Sequence, residues 1–128
     1  MARSEPPAAP PDRVAHYERV LAAADPPIER KGAASPYTSL NGHMFSFLSA
    51  SGILALRLPG EARERFLNDH AAALFIGPHG KPMAEFVAVP TALLEDTAAL
   101  APWIEISRAH VAGQKPKRTT RAKAAGKV

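Results

Sequence analysis

Ser39 to Pro59 reads SLNGHMFSFLSASGILALRLP, and this stretch decides the fold because two turn signals divide it into strands. Asn41-Gly42 is a strong short hairpin signal, since a type I′ turn needs positive φ at both central positions and these two residues tolerate it. Ser51-Gly52 supplies a second two-residue turn. Folding about Ser51-Gly52 sets Phe45, Phe47 and Ser49 opposite Leu58, Leu56 and Leu54 on one face, because directly paired residues share a face. Arg57 then pairs with Ser46 on the other face. Folding about Asn41-Gly42 sets Thr38 opposite Phe45 and Leu40 opposite His43. On this reading NGHMF is a turn followed by the start of a strand.

The neighbouring segments extend the pattern. PDRVAHYERVLAAADPP offers Pro11 or Asp12 as a helix start, Val14, Tyr17, Val20 and Leu21 at helical spacing, and a stop at Pro26-Pro27. IERKGAASPYTSL reads as a broken or edge strand, since Gly32 and Pro36 interrupt it and proline donates nothing to a ladder. After Pro59, EARERFLNDH predicts a short helix with Phe66 and Leu67 inward. Glu61, Arg65 and Asp69 lie along its wet face at i, i+4 spacing. ALFI and AEFVAV read as strands joined by GPHGKPM, a loop dense in turn formers. Thr91 to Ala112 predicts a last helical region, carrying Leu93, Leu94, Leu100, Trp103, Ile104 and Val111 inward, with Pro102 expected to split it. The order α-β(3)-α-β(2)-α, with tight turns inside each group of strands, predicts an α+β fold with an antiparallel sheet packed by helices.

Composition sets the limits. With 128 residues, 46% of them hydrophobic, the expectation is one domain with its own core. The absence of cysteine excludes a disulfide framework, thiolate metal ligation and a cysteine nucleophile. Residues 1–11 carry prolines and almost nothing to bury, so they read as a disordered arm outside a domain at 12–112. No secretory h-region and no apolar run long enough for a membrane span is visible, which makes the cytoplasm the expected location.

The formal charge of +4 is concentrated in one place. Residues 113–128, GQKPKRTTRAKAAGKV, hold Lys115, Lys117, Arg118, Arg121, Lys123 and Lys127 and no acid. Removing these six from the 16 basic residues leaves 10 against 12 acidic ones, so the rest of the chain is slightly acidic. This reads as a disordered basic tail, which either neutralises phosphates without reading base sequence or simply solubilises the chain. It holds no aromatic for base stacking.

Other candidate sites weigh less. The histidines, His16, His43, His70, His79 and His110, show no helical metal-pair spacing, so no metal and no cofactor are expected. Ser46, Ser49 and Ser51 lie near His43 in sequence without a nucleophile elbow or an orienting carboxylate. GPHGKP leads into a strand and so is no phosphate loop. Arg30, Lys31 and Arg57 have two readings: a cationic cluster on the exposed sheet face for an anion or an acidic partner, or a salt-bridged surface with Glu29 and Glu85.

ERKGAASPYTSLNGHMFSFLSASGILALRLPGEARERFL, followed by KPMAEFVAVPTALLED and the closing helix, resembles the TfoX/Sxy N-terminal domain family over about Val14 to Lys117. The resemblance rests on Arg30-Lys31, Gly42 with Met44-Phe45, Leu54 with Leu56, and Phe86 with Val89-Pro90. It implies a secretion-chaperone-like α-β(3)-α-β(2)-α fold and a competence- or transcription-regulator-like role. The function expected is therefore a non-enzymatic interaction or regulatory module. Its expected partners are a protein, a second copy of the chain included, and nucleic acid through the tail, with no membrane. The other reading is a small enzyme or ligand-binding protein using His43 and the basic cluster on an acidic metabolite.

Overall fold

A computed structural model describes residues 9–32, 35–77 and 80–114. The elements follow the order α1 (Pro11–Ala23), β1 (Tyr37–Leu40), β2 (His43–Leu48), β3 (Leu54–Arg57), α2 (Gly60–Asp69), β4 (Ala73–Ile76), β5 (Pro82–Val89), α3 (Thr91–Leu94) and α4 (Thr97–Ala112). The five strands form one sheet in the order β1-β2-β3-β5-β4, antiparallel at every pairing. This is the α+β architecture expected from the sequence.

Each helix begins for a local reason. Pro11 opens α1, where a missing N–H leaves no hydrogen bond unmade. Tyr17, Val20 and Leu21 are its buried stripe. In α2, Ala62 and Phe66 face inward. The break in the last helical region falls at Asp96 rather than at Pro102. The Asp96 side chain accepts from the Ala99 N–H at 3.2 Å and caps α4, while Pro102 is carried inside that helix. Ala9, within the segment read as an arm, is buried with the main core, so that core begins before Pro11. Lys115 to Val128, with every tail cation named above, and His79 lie outside the described residues.

The helices bury one face of the sheet. Leu54, Leu56, Leu58 and Val87 are fully enclosed there with Tyr17, Phe45, Phe66, Leu100 and Ile104. Burial of each such aliphatic side chain contributes roughly 1.5–3 kcal/mol.

The hairpin register differs from the sequence reading in two places. Asn41 and Gly42 have φ of 57° and 79°, and Leu40 pairs with His43, as the type I′ turn requires. The β2–β3 connection, however, is a three-residue loop, Ala50-Ser51-Gly52. Gly52 sits at φ +88° and donates to the Ser49 carbonyl at 2.9 Å. The pairs are therefore Ser46–Leu56, Phe47–Ala55 and Leu48–Leu54, one residue away from the expected ones.

The second difference is a bulge in β2 against β1, where Ser39 pairs with Met44 and Thr38 with Ser46, leaving Phe45 as the extra residue. Phe45 and Ser46 consequently both turn to the helical side. The single Ser107 hydroxyl of α4 lies within donating distance of the carbonyl of the bulged Phe45, at 3.1 Å, and of the Arg57 carbonyl, which share its proton. Ser46 completes a buried polar chain, 2.5 Å from Tyr17 Oη and 2.5 Å from Thr38 Oγ1. Burial pushes the Tyr17 hydroxyl up to about 12, above any offset from its hydrogen bonds to Ser46 and Thr38.

Candidate functional site

The other face of the sheet has no helix on it among the described residues. Its cluster consists of strand residues alone: Ala55, Phe75 and Phe86, with Phe47, Met83 and Ala88 packed against them. The pairings explain how a bare face buries aromatic rings. Phe47 pairs with Ala55, Ala55 with Ala88, and Ala88 with Ala73, so a row of small side chains crosses the sheet beside Phe47. Over this low floor the rings of β2 and β4 meet although two strands separate them. Phe47 and Phe75 stand edge to face with centroids 5.0 Å apart, and Phe86 lies 5.4 Å from Phe47. Phe75 is 9% and Phe86 8% exposed, each shielded by its neighbours in the cluster.

Beside the rings lies a groove of about 520 Å3. Tyr37 of β1, Met44 and Phe47 of β2, Phe75 and Ile76 of β4 and Met83 of β5 supply its apolar walls, Ser49 and Ala50 line it too, and among the described residues no charged one does. Met44 is 36% and Ile76 55% exposed, so the walls are open to an incoming chain. The volume matches ligand pockets in general, which use mostly apolar surface with a few polar groups. Among the described residues no carboxylate, histidine, lysine or arginine lines this groove.

The residues expected to carry a site are divided. Arg30 donates to Glu18 Oε2 of α1 at 2.6 Å and to the Gly32 carbonyl at 3.1 Å. Lys31 Nζ donates to Ser39 Oγ at 2.8 Å. Arg57 Nε donates to Glu85 Oε1 at 2.7 Å, and this hydrogen bond holds the Glu85 carboxyl below the usual carboxylate range. Arg57 does share a shallow depression with His43, Glu85, Met44, Met83 and Phe86, but neither Arg30 nor Lys31 lines it. The three cations thus meet different partners, and Glu18, which the sequence reading did not name, is the acid that Arg30 engages. Among the described residues no three histidine, aspartate or glutamate side chains are grouped to hold a metal ion. No described helix is long and apolar enough to cross a membrane.

Sequence reasoning missed the groove. The signal was present in ALFI and AEFVAV, whose nearly continuous apolar runs put apolar side chains on both faces of the sheet instead of one. Comparison with known families gives one match: the family model described as TfoX N-terminal domain covers residues 19–111. No curated protein and no solved structure matches the chain.

Proposed function

The chain belongs to the TfoX N-terminal domain family, and from that premise we propose that it works as a non-enzymatic interaction module of a regulatory kind, holding an extended, proline-bearing segment of a protein in the groove of its open sheet face. One observation carries this reading: the groove is walled by aromatic and thioether side chains, with no charged side chain among the described residues that line it. Proline-rich segments suit such surfaces because their polyproline conformation is preformed and loses little entropy on docking. The test uses the full chain labelled on its methionine methyls. A proline-rich peptide should shift the Met44 and Met83 signals saturably, and a glycine-serine peptide should not. Absence of any proline-dependent shift sinks the proposal.

Residues 113–128 add a second contact in the same proposal. Lys115, Lys117, Arg118, Arg121, Lys123 and Lys127 would neutralise phosphates, giving nucleic-acid affinity that weakens with salt and ignores base sequence. With at most six phosphates engaged, the slope of log K against log salt on duplex DNA should be no steeper than about −5. A steeper slope, or a preference between two unrelated duplexes, would move the nucleic-acid surface onto the folded domain.

A second reading draws on the depression shared by His43 and Arg57, which would receive an acidic metabolite. It ranks lower because Glu85 already engages the Arg57 guanidinium. Thermal stabilisation by a di- or tricarboxylate that vanishes in Arg57→Gln would reverse this ranking.

A further inference from the structure

We propose that the groove and the depression beside it form one bipartite site, whose occupant is a protein segment with an apolar, proline-bearing stretch and an acidic residue at the end that meets Arg57. The proposal rests on the reading of the groove as a binding site and adds the chemistry of the partner.

Continuity is the first ground. Met44 and Met83 line the groove and the depression alike, so the two hollows share a wall. Phe86 lines the depression, and its ring lies 5.4 Å from that of Phe47, which lines the groove. Arg57 belongs to the same face of the sheet, because it pairs with Phe86 and directly paired residues share a face. Ala55, two positions earlier on β3, sits in the open-face cluster as that alternation requires.

Charge complementarity is the second. The described lining of the groove carries no charge, whereas the depression holds Arg57 and Glu85, with His43 beside them. The Arg57 hydrogen bond lowers the Glu85 carboxyl first, and the charges of Arg57, His110 and Arg63 add to it, so two arginines act on one carboxylate. The balance is positive before either histidine is counted. The hydrogen bond to Glu85 uses Nε of Arg57, and among the described residues neither Nη group is hydrogen-bonded. With 20% of the Arg57 side chain exposed, those groups can take a further carboxylate while Glu85 stays in place.

Length is the third. Along β2 the apolar lining runs from Met44 to Leu48, about four residue steps, or about 13 Å at roughly 3.3 Å each. About four residues in polyproline geometry, at roughly 3.1 Å each, cover that distance. The acid therefore belongs at the end of such a stretch. Within it, a carboxylate would be set against Phe47 and Phe75 with no cation to meet it among the described lining residues.

The test titrates the full chain, labelled on its methionine methyls, with three synthetic peptides blocked at both termini. The first carries about four prolines followed by two aspartates, the second has asparagines in place of the aspartates, and the third keeps the aspartates after a glycine-serine stretch. At low salt the first should bind about fivefold tighter than the second, the upper range for a partly exposed pair. That advantage should shrink as salt is raised and disappear in Arg57→Gln. The third peptide should bind far more weakly than the first. Equal affinities of the first two overturn the proposal, as does an advantage that salt leaves untouched. An advantage that survives Arg57→Gln also overturns it, and assigns the acid to cations elsewhere in the chain. If the third binds as tightly as the first, the depression takes carboxylates on its own and the bipartite site is refuted. If the second peptide shifts Met44 and Met83 and aspartate adds nothing, only this inference is lost. If no peptide perturbs those methyls, the binding reading of the groove falls with it.

Discussion

The two faces of the sheet solve the same problem with different materials. On the helical face, leucines and valines from β3 and β5 interlock with side chains of the helices, and Leu54, Leu56, Leu58 and Val87 are wholly removed from water. On the open face no described element comes down from above. Phe47, Phe75 and Phe86 cover one another over small residues, and Met44 and Ile76 remain partly wet. Aliphatic layers need a second layer to be buried, whereas large rings over a row of alanines shield much of their own area. The first arrangement specifies the fold, and the second leaves a surface that a further chain can still bury.

Core truncation tests this contrast most strongly. Leu56→Ala should cost about 2–5 kcal/mol in chemical denaturation, since it opens a cavity between the sheet and its helices. Ile76→Ala on the open face should stay within about 0.5–1 kcal/mol, because over half of that side chain is already exposed. Equal losses would mean that the open face is as much a part of the core as the covered one.

Tyr17→Phe sharpens the comparison from the covered side. It should cost about 1 kcal/mol, a typical value for one buried hydrogen bond, with Thr38 left to partner Ser46. Its pH dependence follows from the raised hydroxyl. Folding favours the neutral phenol, so that stabilisation is present in full below the ordinary value of 10.0 and is lost as pH rises from there towards about 12. Over that interval the wild type should lose stability faster than Tyr17→Phe. Parallel alkaline curves would show that Tyr17 ionises without hindrance.

The smallest effect is expected at Arg57. Arg57→Gln should change stability by no more than about 1 kcal/mol, the range of exposed pairs, since the Glu85 side chain is 49% exposed. The depressed Glu85 carboxyl contributes above its ordinary value of 4.5, and that contribution is lost as pH falls through the lower folded value. The gap between wild type and variant should therefore close in acid, as urea midpoints across pH would show.

What the sequence disclosed follows from what is local. Element order was legible because helical stripes such as Tyr17, Val20 and Leu21, and turn formers such as Asn41-Gly42, act within a few residues of themselves. Register was less so. Gly52 adopts positive φ in a loop one residue longer than expected, and Phe45 bulges where Ser107, 62 positions away, meets its carbonyl. A one-residue slip exchanges faces. Phe47 was accordingly assigned to the covered side, and the aromatic groove vanished with that assignment. Arg57 was placed correctly away from Leu56 and Leu58, and its neighbour Glu85 was foreseen as a salt-bridge partner. That Arg30 turns to Glu18 depends on how α1 packs, which no local pattern records.

The pairing irregularities of the sheet are not scattered. They occur between β1 and β2 and between β4 and β5, the outermost pairs, while the inner pairs β2–β3 and β3–β5 keep an unbroken register. A long, flat outer strand offers its row of unpaired amides and carbonyls as a template on which further chains polymerise, and a short one in an irregular pair offers little of it. Both margins here are four-residue strands in distorted pairs. Growth of the sheet by adding strands is thereby discouraged at either end, so a concentrated solution of this chain has a structural brake against fibril formation.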